Sequence, residues 1–309
     1  MWFNNIYIFK FTCEFTTPIE QLEKSLSENA FTPCGATEIS RIGWSPALGR
    51  TSSAFTHQAD GNILLSLFKE EKILPAPVIK DMVEEKTNTL EAEQNRSATK
   101  VERQKIKEDI IFEILPRAFS RMTNTHGYIS AENNIIVINA SARSKAEDFL
   151  ATLRRSLGGT LPVTSLSTEK DPSDIFTQWV CEKDSESPFL PFLLGTSAKL
   201  KAIGDDAPEF QCKNQDLKSK DVINLIESGM YIHSLGLSWD ECLSFKLEED
   251  LSIKQIKFFD IITEQNDDVD SSDVLAKLDA DFSLMAGEIN RFILDLSKVL
   301  DFSLAFKIS

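Results

Sequence analysis

Residues 273–300 read DVLAKLDADFSLMAGEINRFILDLSKVL. Leu275, Leu278, Phe282, Met285, Ile289, Phe292, Leu296 and Val299 fall at intervals of 3, 4, 3, 4, 3, 4 and 3, an apolar stripe along one side of an α-helix. The spacing predicts one helix from about Asp273 to Leu300, with negative charge at its start, where it favours the helix dipole. A stripe of this length has to be buried. Its cover is either the body of the same chain or a second copy, because a self-complementary two-fold contact is the commonest oligomer interface.

Working back from that helix, short strands are expected at Lys199–Ile203, Glu209–Cys212, Tyr231–Leu237, Leu243–Leu247 and Ile253–Phe258, divided by a helix near Asp221–Ser228. At the other end Asn5–Thr12 reads as a strand. Thr17-Pro18-Ile19-Glu20 then opens a helix with an N-cap, a proline at its first position and a glutamate three residues on. Phe31–Gly49, rich in Pro, Gly and Trp, reads as ordered loop, and Asn62–Phe68 as an apolar strand. From about Val78 to Leu115 the sequence is helical and polar in its middle: one helix, or two with a break near Ser97–Thr99, projecting from the body and stopped by Pro116. A hairpin follows, Tyr128–Ser130 with Ile135–Asn139 around Asn133-Asn134. Lys145–Leu157 is an amphipathic helix with Arg154 and Arg155 outward, closed by Gly158-Gly159.

This succession implies an α+β fold: a mixed strand and helix body, a projecting helical arm and a long C-terminal helix. Three parts are expected: a central α+β domain from 1–75 and 120–170, a helical arm at 76–119, and an acidic α+β base and dimerisation domain at 171–309.

The net charge is −15, and it is unevenly placed. Residues 1–170 hold 20 Lys and Arg against 21 Asp and Glu, a net of −1; residues 171–309 hold 13 against 27, a net of −14. Binding responds to the local field and not to the sum, so a polyanion partner is not excluded, and its site is expected in the first half. The five cysteines include no CxxC pair, which argues against a disulfide framework or a structural zinc site. No apolar run reaches membrane-spanning length, and the start lacks the features of a secretory signal. A cytoplasmic protein without cofactor is the expectation.

Arg96, Lys100, Arg103 and Lys107 are spaced 4, 3 and 4, which on one helix forms a row of cations about 16 Å long. Such a row can follow several phosphates of a duplex. It can equally be a solvated face supported by Glu93, Glu102 and Glu108. Arg117-Ala118-Phe119-Ser120-Arg121 places a Phe between two arginines, either an exposed contact flanked by phosphate-binding Arg or a loop Phe folded into the core. The three histidines are far apart and read as structural. Asp267, Asp268, Asp270, Asp273, Asp279 and Asp281 resemble a carboxylate metal cluster, as two-metal nucleases use, but Asp279 and Asp281 do not share a helix face.

The runs Ala30–Gly35, Gly43-Trp44, Lys69–Pro75, Pro77–Lys80, Leu90–Gln94, Leu115–Arg121, Lys145–Asp148, Ser156–Gly158, Gln215–Leu217 and Asp279–Phe282 resemble, in order and over nearly the whole chain, the recombination-associated RdgC proteins. These are bacterial DNA-binding proteins that restrain the RecA recombinase. The resemblance implies a homodimer closed into a ring whose basic hole admits duplex DNA, with little sequence preference, no catalysis and a nucleoid-associated location. It also carries over three positions: Arg96 and Gln215 as DNA-binding residues and Phe119 at the interface that closes the ring. The residue before the glutamine is usually Lys in the family and is Asn214 here, so Lys213 is the expected substitute. Two other classes stay open: an acidic protein-binding scaffold without DNA affinity, and a carboxylate-dependent nuclease.

Overall fold

In the computed structural model the C-terminal stripe is covered by the chain's own sheet. The structure describes residues 2–182, 190–204, 207–266 and 273–305. In chain order the elements are β1 (Ile6–Phe11), α1 (Ile19–Glu28), β2 (Ser40–Ser45), β3 (Thr56–Ala59), β4 (Asn62–Lys72), α2 (Ala76–Gln94), α3 (Lys100–Ile114), β5 (Ser120–Ser130), β6 (Ile135–Asn139), α4 (Arg143–Ser156), β7 (Val163–Ser165), α5 (Pro172–Cys181), β8 (Phe192–Lys201), β9 (Glu209–Cys212), α6 (Lys220–Glu227), β10 (Tyr231–Trp239), β11 (Leu243–Glu248), β12 (Ile253–Phe258), α7 (Asp260–Thr263) and α8 (Val274–Val299). The α+β class is as expected.

The chain divides into two compact units. The first comprises Met1–Leu26, Pro46–Ser66 and Thr125–Ser309; the second comprises Ser27–Ser45 and Leu67–Asn124. The expected arm, 76–119, falls inside the second unit and the expected base, 171–309, inside the first, whereas the expected central domain, 1–75 and 120–170, is divided between the two and forms no unit of its own.

The first unit is built on an antiparallel sheet in which β6, β1, β12, β11, β10, β8 and β9 are successive neighbours. Its strands alternate. In β1 and β6, Ile6, Ile8, Ile135 and Val137 face the main core, while Phe9 and Ile136 are paired and buried on the other side. In β11, Leu243, Phe245 and Leu247 are buried, and Ser244, Lys246 and Glu248 between them are only half-buried. The period of two puts alternate residues on opposite faces.

Helix α8 covers the apolar face. Phe282, Met285, Ile289, Phe292 and Leu296 are all buried, and Phe292 stands edge-on to Phe192, Trp239 and Phe245 at centroid distances of 5.9, 5.6 and 4.8 Å. Packing within the chain therefore occupies most of the seam; its first member, Leu275, remains exposed. A buried polar knot fixes the helix on the sheet: the Tyr128 hydroxyl donates to Asn290 Oδ1 at 2.8 Å, and Asn290 Nδ2 donates to Asn62 Oδ1 and Ser130 Oγ. Fully satisfied networks of this kind specify one register. Helix α5 packs on β10, where the Thr177 hydroxyl accepts from the Ile232 amide.

In the second unit α2 and α3 pack as an antiparallel hairpin, with Lys86 paired to Glu113 and Glu91 to Arg103. Of the two readings of the arm, the broken one is correct. Asn95 adopts the left-handed conformation that ends α2, and Thr99 with Glu102 forms a capping box that starts α3. Phe31–Gly49 is not all loop, since it contains β2. Gly43 lies so close to the neighbouring chain that a Cβ there would stand 2.6 Å from Phe31 Cα. The glycine serves close backbone approach and not a turn.

Candidate nucleic-acid interface

The sequence-based row of four cations does not exist as one helix face. Arg96 lies in the loop between α2 and α3, and only Lys100, Arg103 and Lys107 are on α3. Arg96 turns back to grip Glu102, with Nη1 and Nη2 donating to the two carboxylate oxygens at 3.0 and 2.6 Å. Glu102 also accepts from the Thr99 amide and hydroxyl at 2.8 and 2.9 Å. The Arg96 guanidinium first, then the Thr99 donors, hold the Glu102 carboxyl down to about 2, so it stays ionised at any working pH. Glu91 accepts from the Ala98 amide at 2.8 Å and from Arg103 at 3.1 Å, and its carboxyl is likewise lowered. Lys100 and Lys107 are exposed and, among the described residues, have no carboxylate within ion-pair reach.

Leu115–Arg117 forms a single 3-10 turn after α3, and β5 begins at Ser120. Phe119 sits between them with 85% of its surface exposed, which excludes the folded-in reading. Its carbonyl accepts from the Ile73 amide, so the backbone is tied while the ring is free. Arg117 is exposed on the turn, and Arg121 is exposed at the start of β5, 3.5 Å from Glu71.

The first unit carries a second group of cations. A cavity of about 530 Å³ opens on the sheet face away from α8, lined by residues of β8, β9, β10, β11, β12 and the turn after β9. Lys213, Lys246 and Lys257 line it, with Gln211, Asn214, Gln255, Thr196, Ser197, Ser238 and Ser244, and no lining residue is acidic. Among the described residues none of the three lysines has a carboxylate partner. Cross-strand register places Lys246 opposite Lys254 and Ser244 opposite Lys257, which puts these side chains on one face. Lys254 is engaged, with Nζ 3.8 Å from the centroid of the Tyr7 ring. The floor is bare because Gly195 and Gly236 meet there: a Cβ on Gly236 would lie 2.5 Å from Ser197 Oγ, and one on Gly195 would lie 2.9 Å from the Gly236 oxygen.

This cavity is a positive site with hydroxyl and amide donors and, among the described residues, no acidic lining residue, set in the half of the chain that carries a net of −14. Oxyanions are the ligand class that such a set of donors fits. Of the residues named from sequence, Lys213 lies in it. Gln215 lies beside it: its amide donates to the Thr196 carbonyl, and its side chain donates to Ser219 Oγ at 3.3 Å.

Residues 1–303 match a family profile described as "Putative exonuclease, RdgC". The chain is 55% identical to the recombination-associated protein RdgC of Colwellia psychrerythraea over 96% of this chain and 95% of that one. It is 43% identical to the protein of the same name from Aeromonas hydrophila over 95% of each chain, and 39% identical to that of Sodalis glossinidius over 96% of each. The chain belongs to the RdgC family.

The profile's description and the relatives' names point to different chemistry, so the carboxylates matter. Asp279 Oδ1 sits 2.8 Å from His57 Nε2, Asp281 accepts from Asn266, and Asp273 caps α8 by accepting from the Ala276 amide. Each has a structural contact. Asp267, Asp268 and Asp270 lie outside the described residues. Among the described residues no group of three or more His, Cys, Asp or Glu is placed to hold a metal ion, and no described helix is long and apolar enough to cross a membrane.

Sequence reasoning missed Lys246 and Lys257 in this RdgC-family chain. The acidic total of residues 171–309 concealed them. The signal was local: a lysine at an alternate position of Leu243-Ser244-Phe245-Lys246-Leu247, the one face of a half-buried strand that solvent reaches.

Proposed function

We propose that the protein binds double-stranded DNA without sequence preference and without catalysis, as a homodimer closed into a ring. DNA so enclosed is withheld from a RecA-type recombinase, and the protein resides with the nucleoid. The observation that carries the DNA-binding reading is the lysine-lined cavity: among the described residues, three lysines without a carboxylate partner and no acidic lining residue, on a sheet face whose hydroxyls and amides suit phosphate oxygens. Contacts of that kind position a duplex and read no bases. Arg96, Lys100, Arg103, Lys107, Arg117 and Arg121 of the second unit and Gln215 of the first would add backbone contacts. The ring rests on the family resemblance, and the exposed Phe119 suits a closing contact between copies.

Encirclement has a topological consequence. Complexes on closed circular plasmid should survive a high-salt wash and be lost once the plasmid is cut, because a ring slides off a free end. Equal loss from circle and linear DNA would contradict a ring. Absence of binding to random duplex in dilute buffer would leave the protein-binding scaffold as the better reading.

Phe119→Ala is expected to leave folding stability within about 0.5 kcal/mol, as for other exposed sites. It should speed loss of the protein from closed circles while the dimer persists. Sedimentation checks this, and conversion to monomer would place Phe119 in the primary interface.

A nuclease is the second reading, favoured by the description of the family profile. Incubating DNA with Mg²⁺ or Mn²⁺ tests it. Cleavage by the wild type that is lost in Asp279→Ala would establish catalysis.

A further inference from the structure

Both arginines at the tip of the α2–α3 hairpin are paired with carboxylates. We propose that Glu102 and Glu91 stand in for DNA phosphates, holding Arg96 and Arg103 in a phosphate-binding pose and limiting affinity, since each must be exchanged for a phosphodiester when DNA binds. The inference rests on the DNA-binding reading above and concerns how that site is restrained.

The geometry has three parts. First, Arg96 meets Glu102 through two parallel N–H···O bonds of 3.0 and 2.6 Å, the same fork that guanidinium presents to two phosphate oxygens. A side chain already set in this way needs little reordering to accept the new ligand. Second, the carboxylates are fixed and not wandering partners. Glu102 is held by the Thr99 amide and hydroxyl, and Glu91 by the Ala98 amide. Each glutamate therefore shapes the 95–99 loop and neutralises an arginine at once. Third, both arginines are about half exposed, at 47% and 56% of the side chain, so a phosphate can reach them, and ion pairs this exposed are weak enough to exchange. Lys100, beside them and without a carboxylate partner among the described residues, offers the incoming phosphate a first contact.

The two duties of Glu102 are separable. Glutamine preserves the capping box, because its amide oxygen still accepts from the Thr99 backbone, but it removes the charge that holds Arg96. Glu102→Gln is therefore expected to bind a random-sequence duplex about two- to twentyfold more tightly at physiological salt, from one released arginine on each subunit of a dimer. The fall of affinity with salt should also steepen. In an Arg96→Ala background the same substitution should give no gain.

The wild type must bind duplex in the same assay; if it does not, the DNA-binding reading itself has failed. If it binds and Glu102→Gln binds equally or less well with helix content unchanged, the inference is overturned. An equal gain in the Arg96→Ala background would also overturn it, since removal of one negative charge anywhere would then suffice. Should Glu102→Gln melt α3, Glu91→Gln with and without Arg103→Ala provides the same cycle on the second pair, with the same deciding outcomes.

Discussion

Reversing two charges on the polar sheet face, Lys246→Glu with Lys257→Glu, is expected to weaken binding to random duplex by at least about a hundredfold at physiological salt. The reason is the number of phosphates affected. A protein that neutralises 6–10 phosphates loses roughly 10³–10⁵ in affinity over a fourfold rise in salt, so each such neutralisation counts strongly. In a dimer the double substitution removes four cations and adds four anions on the face that would meet the backbone. Folding should be spared. Lys257 is exposed, Lys246 half-buried, and neither has a carboxylate partner among the described residues, so no stabilising pair is broken. A gel-shift titration beside a thermal melt checks both halves of this expectation. Binding within twofold of wild type, with the fold intact, would place the DNA elsewhere.

Phe292→Ala should cost about 3–5 kcal/mol of folding stability, as large-to-small changes of buried aromatics do. Phe292 is 1% exposed and touches three aromatic rings from three strands, so little can move in to fill the space. Denaturant unfolding monitored by circular dichroism reads the change. Unchanged stability with loss of dimer would mean that this part of the α8 stripe belongs between copies and not to the chain's own core.

Much of the fold was legible because period and punctuation agreed. Glu209–Cys212 and Ile253–Phe258 are strands with the expected bounds, and α8 runs within one residue of its expected ends. What was not legible has identifiable causes. Strand β8 begins at Phe192 and not Lys199, because Gly195 and two hydroxyl residues interrupt its apolar pattern; Gly195 is there for close packing against Gly236. Strand β5 starts at Ser120, and its first half, Ser-Arg-Met-Thr-Asn-Thr, has too few apolar residues to show a period. Helix α5 does carry a readable start, with Asp171 capping the Ser173 amide and Pro172 at the first position, but its ten residues are too few to show a long apolar stripe.

The candidate site was partly legible. Phe119 and its flanking arginines could be named from sequence, as could Lys213. The helical row could not be judged, because one residue decided it: Asn95 ends α2 and moves Arg96 off the helix, where Glu102 takes it. Charge partition pointed to residues 1–170, and the lysine-lined cavity lies in the other half. The half with the greater acid excess holds the lysine-lined cavity, since a sheet segregates its two faces residue by residue while a sum over 139 residues does not.

If lysines of that sheet face grip the DNA backbone, the salt dependence of duplex affinity must report them. The decisive measurement is the slope of log K against log salt for wild type beside a Lys213→Ala, Lys246→Ala, Lys257→Ala variant. The wild type is predicted to show a steep linear fall, and the variant a slope flatter by about 0.9 for each phosphate it no longer neutralises, up to about five for the six lysines of a dimer. Identical slopes, or wild-type affinity that does not change with salt, would contradict it.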